Sequence, residues 1–175
     1  MKKPGENIIV VTDRLLLQTV SEEFKFDICN EFTLEITRFM PFNPTGNIKD
    51  TEDFIALSSQ DLISGKAILF CILKGESKEF LGCCGLHNIN TRMVEIGLWL
   101  KKSAHGNGYG TETVKTLIEF AEAHLDFEYL LYPVDKDNWI SKKIPEKLGF
   151  IPTSTYEKKK SGTENLHIIE FRKKK

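Results

Sequence analysis

The stretch AHGNGYGTE at residues 104–112, in which three glycines alternate with other residues, limits most strongly how this chain folds. An apolar, strand-like segment precedes it at residues 92–100, and a helical pattern follows it. Glycine costs conformational entropy on folding, and the usual reason for several glycines at such a junction is that the backbone approaches another group closely. Backbone N–H groups at a helix N-terminus attract anions, so the junction predicts a site for a negatively charged group.

Two common phosphate-binding motifs do not fit this loop. The dinucleotide motif G-x-G-x-x-G, started at Gly106, needs a glycine where the chain has Thr111, and no G-x-x-x-x-G-K-[ST] run occurs. What remains is G-x-G-x-G before an amphipathic helix, whose apolar stripe includes Val114, Leu117 and Ile118. Taken alone, the glycines are also compatible with a flexible turn that binds nothing.

The first third of the chain predicts a strand followed by helices. A strand is expected at residues 14–20, and the stretch 41–47, with two prolines and a glycine, is expected to be a loop. The capping residues expected to begin three helices are Ser21, Thr33 and either Asp50 or Thr51, with the last helix ending near Ser64.

The remaining two thirds predict a sheet built around the glycine loop. Strand patterns with short turns between them predict an antiparallel meander at 67–74, 79–87 and 92–100. After the helix that follows the glycines come a strand, a helix and two strands, at 129–134, 138–148, 150–158 and 164–171. Antiparallel strands that lead into one strand–helix–strand unit are typical of α+β domains. Since no long linker interrupts the pattern, we expect one domain over residues 1–175.

Composition excludes several classes of function. The 24 Lys and Arg are balanced by 25 Asp and Glu, so the chain lacks the basic excess of nucleic-acid-binding domains. The four cysteines form no CxxC pair, and we expect reduced core thiols without a metal site. The N-terminal segment MKKPGENIIVVTDR has too short an apolar run for a signal peptide or a membrane span. We therefore expect a cytoplasmic protein with no membrane partner. Either a monomer or a homodimer is expected.

The segment EIGLWLKKSAHGNGYGTETVKTLIEFA at residues 95–121 resembles the acetyl-CoA-binding motif of the GNAT N-acetyltransferases, whose core is [QR]-x-x-G-x-[GA]. On this alignment His105 stands at the Gln/Arg position, and Gly108 and Gly110 are the two required glycines. The segment DNWISKKIPEKLGF at 137–150 is similar to a second motif of the family, and RLLLQTV and GLHNIN are similar to two more of its segments. The branch that this resembles most is that of the ribosomal-protein N-terminal acetyltransferases.

The resemblance implies an α+β fold, with a mixed, mostly antiparallel twisted sheet, helices on both faces and a splayed pair of strands that binds the cofactor. It implies acetyl-CoA as acyl donor, while the expectation of no metal comes from the cysteine spacing above. The residues expected to contact the cofactor are Leu98, Trp99 and Leu100 on the strand, His105, Gly106, Asn107, Gly108, Tyr109, Gly110 and Thr111 in the loop and first helical turn, and Asn138 on a later helix. The loop N–H groups would meet the pyrophosphate, and the strand edge would pair with the amides of the donor's arm.

The implied reaction is attack of a primary amine on the thioester carbonyl, which requires a base because an alkylammonium has a pKa of about 10. Glu95 is the leading carboxylate, since in strand register it shares a face with Met93, Gly97 and Trp99, and apolar surroundings raise a carboxyl pKa. The alternative for Glu95 is a cross-strand ion pair with a Lys or Arg. Glu157 is a second possible base.

Ser141 lies three residues after Asn138 on one face of a helix's first turn. The resemblance places groups that contact the cofactor on this face, which makes Ser141 the candidate hydrogen-bond donor to the departing thiolate. The structural alternatives are that Asn138 is a plain N-cap and that the Ser141 hydroxyl bonds back to a carbonyl. Tyr132 is an alternative acid, and His87 is expected to be a turn residue rather than a base.

Three functions remain open from the sequence. The first is N-acetylation of a peptide or protein N-terminus, or of a small amine, by direct attack in a ternary complex. The second is acetylation of a polyamine, for which the clustered acids Glu22, Glu23, Glu31 and Glu35 would form the site. The third is a non-catalytic regulator that binds acetyl-CoA.

Overall fold

The computed structural model describes residues 7–162 and 164–175, and the first six residues of the N-terminal segment lie outside it. Eight strands form one sheet, with bounds β1 Ile9–Val11, β2 Leu15–Thr19, β3 Ala67–Lys74, β4 Phe80–His87, β5 Met93–Leu100, β6 Tyr129–Asp135, β7 Ile151–Lys159 and β8 Asn165–Lys174. The α-helices are α1 Lys25–Glu31, α2 Ile48–Ser64, α3 Tyr109–His124 and α4 Trp139–Lys147. Short 3-10 turns lie at Glu22–Phe24, Ile36–Phe39 and Lys102–Ala104.

The strands run in the order β1-β2-β3-β4-β5-β6-β8-β7. Within the described residues every neighbouring pair is antiparallel except β5 and β6, which are parallel. The helix α3 connects these two strands, as a parallel crossover requires. The predicted meander is β3-β4-β5, and the predicted strand–helix–strand unit is β5-α3-β6.

The two faces of the sheet bury different helices. The stripe predicted for α3 is confirmed, since Val114, Leu117 and Ala121 are fully buried against the main core. On the other face α1 and α2 pack Ile28 and Ile55 against a second cluster. Helices on both faces of a mixed sheet confirm the predicted fold class.

One strand was not predicted, and two expectations about helix caps were wrong. Residues 9–11 form the additional strand β1, which pairs with β2. Ser21 makes no side-chain cap, and the chain passes through a 3-10 turn before α1 begins. The cap of α2 is Asn47, whose Oδ1 accepts from Lys49 N at 3.0 Å, while the expected cap Asp50 instead accepts a hydrogen bond from Thr45. The predicted end of α2 at Ser64 is confirmed by Gly65 in the left-handed region.

The tip of the β7–β8 hairpin is tied to the loop before α2. Lys160 is 8% exposed, and its ammonium donates to Thr37 O at 3.0 Å and to Arg38 O at 2.7 Å. Ser161 N also donates to Pro41 O at 3.1 Å. These bonds fix one end of the 41–47 loop, which lies over the sheet.

Among the described residues no helix is both long and apolar enough to span a membrane. The same residues contain no group of three His, Cys, Asp or Glu side chains placed to hold a metal ion.

Candidate active site

The sheet opens between β5 and β6. Their parallel pairing covers Met93 to Glu95 and ends where Glu95 meets Leu131. Beyond this point β5 stays paired with β4 as far as Leu100, and β6 stays paired with β8, so the two strands diverge. The stretch Leu98–Leu100, predicted to present a free strand edge, therefore has no β6 partner.

The glycine loop follows at the end of β5. Gly106 and Gly108 have φ of 77° and 78°, a left-handed conformation that glycine adopts without strain, and Gly108 directly precedes α3. Within residues 7–162 and 164–175, no protein acceptor takes the backbone N–H groups of Gly106 through Thr111. These donors at the N-terminus of a 16-residue helix fit an anionic pyrophosphate.

Gly110 has a packing role in the same loop. A Cβ there would lie 3.0 Å from Ile144 Cδ1 and 3.7 Å from Leu98 Cδ1, so glycine lets α3 pack closely against α4 and β5. The side chain of His105 turns back toward the strand, with Nε2 2.9 Å from Leu100 O. Contact between the His105 ring and a phosphate remains a prediction.

Arg14, the residue before β2, binds the glycine loop through its side chain, and the sequence did not predict this role. Its guanidinium donates to Asn107 O at 3.0 Å and pairs with Glu112 at 2.6 Å, and it lies 4.9 Å from the centre of the Tyr109 ring. Burial acts to raise the pKa of Glu112, but hydrogen bonds from Thr12 and Arg14 outweigh it and lower the pKa overall. The only sequence signal was Arg14 at the head of the RLLLQTV segment.

The start of α4 joins the opening from the β6 side. Asn138 is the helix N-cap, and its Oδ1 accepts from Ser141 N at 3.2 Å. The Ser141 hydroxyl lies 2.9 Å from Tyr132 Oη, instead of bonding to a helix carbonyl. Burial raises the pKa of Tyr132 to about 12, so its hydroxyl keeps its proton at neutral pH. The two hydroxyls that were considered separately as acids therefore form one hydrogen-bonded pair.

Glu95 lies half-buried at the vertex of the opening. In the β4–β5 register it is directly opposite His87. Among the described residues, none of the ion pairs involves Glu95, so the cross-strand Lys or Arg of the alternative reading is not seen there. Its role as base stays a prediction.

Glu157, the second possible base, lies on the exposed strand β7. Its carboxylate is 3.6 Å from His167 Nδ1 and accepts from Asn165 Nδ2 at 3.3 Å. These contacts place it in a surface cross-strand cluster rather than at the vertex.

A cavity of about 340 Å³ lies between β4–β5 and the α1–α2 segment. We call it the aromatic cavity, after side chains of its lining that include Phe32, Phe42, Phe54 and Trp99. The ring centroids of Phe32 and Trp99 are 5.2 Å apart, and those of Phe32 and Phe42 are 6.0 Å apart. Its polar lining includes Asn43, Asn47, Asp50 and His87.

His87 was expected to be a turn residue, but it is the last residue of β4 and lines the aromatic cavity. The turn begins after it, at Asn88. Gly97, Leu98 and Trp99 line the same cavity and belong to the diverging part of β5. The cavity therefore opens onto the strand that leads to the glycine loop.

Comparison with known proteins identifies the family of the chain. The family model for the acetyltransferase (GNAT) domain matches residues 14–151, which is more than half of the chain. The chain belongs to the GNAT acetyltransferase family. The predicted family and enzyme class are thereby confirmed, while the predicted roles of individual residues are not tested by this match.

Individual relatives agree with the family. The uncharacterized N-acetyltransferase p20 of Bacillus licheniformis is 26% identical over 169 residues, covering 93% of this chain and 95% of p20. An acetyltransferase from Salmonella typhimurium that modifies the N-terminal serine of ribosomal protein L7/L12 superposes with a TM-score of 0.81 at 15% identity, over 96% of this chain and 99% of that one. The microcin C7 self-immunity acetyltransferase MccE, solved with acetyl-CoA and AMP, gives a TM-score of 0.82 at 19% identity over 94% of both chains.

Proposed function

We propose that this GNAT protein transfers the acetyl group of acetyl-CoA to a primary amine whose neighbouring group is apolar or aromatic, at a peptide N-terminus or on a small molecule. One observation carries the proposal: Gly97, Leu98 and Trp99 belong both to the diverging edge of β5 and to the lining of the aromatic cavity. A donor held along β5 and an acceptor held in the cavity would meet at these residues.

The donor half of the site suits acetyl-CoA. The N–H groups of Gly106 to Thr111 would receive the pyrophosphate, since they have no acceptor in the described part of the chain. The amide-bearing arm would add to the edge at Leu98–Leu100 as an extra strand does. Asn138 and Ser141, at the start of α4, would face the sulfur end of the arm from the β6 side.

The chemistry is direct attack in a ternary complex. The ammonium of the acceptor loses a proton, and the amine nitrogen attacks the thioester carbonyl. The C–S bond of the resulting tetrahedral intermediate then breaks. Backbone N–H groups of β5 would stabilise the oxyanion, and the Tyr132–Ser141 pair would donate a hydrogen bond to the departing thiolate. Proton removal is assigned to the vertex, where Glu95 lies opposite His87.

The acceptor class follows from the cavity lining. Burying a phenyl-sized group stabilises binding by about 1.5–3 kcal/mol, and the cavity offers several aromatic side chains for this purpose. The polyamine alternative needs clustered free carboxylates, but Glu22 pairs with Lys25 and Glu35 pairs with Lys102. Among the described lining residues Asp50 is the one carboxylate, so the cavity favours an apolar amine over a polycation.

Steady-state release of CoA tests the proposal. Phenylethylamine and peptides beginning with Met or Phe should give kcat/KM at least about tenfold above ethanolamine and spermidine, as expected from burial of the apolar group. Faster turnover of spermidine would indicate the polyamine activity instead. No turnover with any acceptor, together with tight acetyl-CoA binding in calorimetry, would indicate the non-catalytic regulator.

A further inference from the structure

The imidazole of His87 lies over Gly97, the residue of strand β5 that has no side chain. Its Nε2 is 3.4 Å, and its Cδ2 3.8 Å, from the position that a Cβ on Gly97 would occupy. Because Gly97 has no side chain, the ring rests on the β5 backbone at the junction between the aromatic cavity and the diverging edge. The ring therefore lies where an acceptor in the cavity and a donor along β5 would meet under the proposed function.

Among the residues that the structure describes, no hydrogen bond or ion pair involves the His87 ring. The charged groups that act on it are Glu95 on β5, Asp61 on α2 and Lys158 on β7. Burial lowers the pKa of His87 below its ordinary value of 6.5 and Lys158 adds to this, while Glu95 and Asp61 act in the opposite direction. At neutral pH the ring is therefore an uncharged proton acceptor.

We propose that His87 takes the proton from the acceptor ammonium, and that Glu95 acts through His87 as a positioning residue. The proposal rests on the proposed function. The proton passes from the ammonium nitrogen to the imidazole, the freed lone pair forms the C–N bond, and the C–S bond electrons leave with the thiolate. The second amine proton is lost on collapse of the intermediate, the thiolate gains one proton, and the imidazolium returns the other to solvent.

Geometry favours this division of roles over Glu95 alone. His87 lines the aromatic cavity, whereas Glu95 lies across the strand pair from it at the vertex. Directly opposite residues in an antiparallel pair have Cβ atoms about 4.5–5.5 Å apart, so a negative charge on Glu95 stabilises the imidazolium that forms. A base of this kind works best when its pKa lies close to the working pH.

The test uses the full chain, acetyl-CoA and the best apolar amine of the panel. We expect His87→Gln to lower kcat on the order of a hundredfold and to remove the acidic limb of the kcat/KM profile, with acetyl-CoA affinity unchanged. Glu95→Gln should lower kcat less and move that limb to lower pH, because the charge that raises the pKa of His87 is gone. The control His124→Gln changes an exposed histidine at the end of α3 and should keep the wild-type kcat and the acidic limb of the kcat/KM profile.

Two further measurements test the proposal even if His87→Gln fails to fold. In the wild type, NMR titration of His87 should give the pKa seen in the acidic limb, with the four histidines assigned from single substitutions. In His87→Ala, added imidazole should restore turnover in a concentration-dependent way.

His87→Gln with kcat within twofold of wild type and an intact acidic limb would overturn the assignment, as would mismatched NMR and kinetic pKa values. Loss of the limb in Glu95→Gln alone would make Glu95 the base. None of these results touches the proposed function, which fails if spermidine turns over faster than the apolar amines or if wild-type protein releases no CoA with any amine.

Discussion

The hydrogen bond between Tyr132 and Ser141 offers the most direct test of the leaving-group step. Tyr132 is 3% exposed, and its hydroxyl lies 2.9 Å from Ser141 Oγ. Ser141→Ala leaves the tyrosine hydroxyl buried without that partner, which should lower the free energy of unfolding by about 1–3 kcal/mol. Tyr132→Phe should cost about 0.5–1.5 kcal/mol, since the half-buried serine can turn to water. The double variant should lose less than the sum of the two.

Activity should show the same coupling. If the pair donates to the thiolate as one unit, each single variant should lower kcat on the order of tenfold or more, and the double variant should be no slower than the worse single one. Stopped-flow detection of the free thiol gives the chemical step, and calorimetry gives the acetyl-CoA dissociation constant, which should stay within about twofold. Tyr129→Phe, at the start of the same strand β6, is the matched control and should leave both quantities unchanged.

Two results would refute this reasoning. Losses in kcat that multiply in the double variant would mean that the two hydroxyls act independently. A rise in the acetyl-CoA dissociation constant equal to the fall in kcat/KM, with an unchanged chemical step, would assign Ser141 to cofactor binding.

Other features give shorter predictions. Gly108→Val should raise the acetyl-CoA dissociation constant at least tenfold, or about 1.4 kcal/mol, whereas Gly65→Val, with a similar φ of 69° at the end of α2, should lose comparable stability but no affinity in calorimetry. Lys160→Met should lower the unfolding free energy by about 1–3 kcal/mol in urea titrations, because two carbonyls lose a charged donor, while exposed Lys159→Met should not. Because the pKa of Tyr132 is raised from 10.0 to about 12, wild-type stability should fall between pH 10 and 12 by up to about 1.4 kcal/mol per pH unit more than that of Tyr132→Phe, and a smaller fall would contradict burial of that hydroxyl.

Much of the fold was predictable because its signals are local. The stripe of α3 repeats within a few turns of one helix, and the glycines at 106 and 108 have φ values that few other residues tolerate. The strand register also placed Glu95 and Gly97 on one face from alternation alone. The wrong cap of α2 has a local cause as well, since Asn47 and Asp50 are both good capping residues and the sequence does not rank them.

The site was less predictable because its contacts join distant parts of the chain. Arg14 and Glu112 are 98 residues apart, and Lys160 meets Thr37 across 123 residues. The aromatic cavity needs the packing of α1 and α2 on the sheet before its phenylalanines come together. The position of His87 in the cavity lining was not predicted, because a histidine beside a turn carries no sign of where its ring points until Gly97 is placed beneath it.

The parallel pair of strands sets the geometry of the whole site. Within the described residues β5 and β6 are the one parallel pair, and their pairing ends at Glu95, the residue opposite His87. From Glu95 to Leu100 the diverging strand covers six residues, and the five steps between them span roughly 17 Å at 3.3 Å per residue. An extended arm laid along this edge would have its phosphates at the glycine loop and its thioester toward the vertex. The group that removes the proton must then lie at the vertex and face the cavity, and these two conditions together favour His87 over Glu157 on the exposed strand β7.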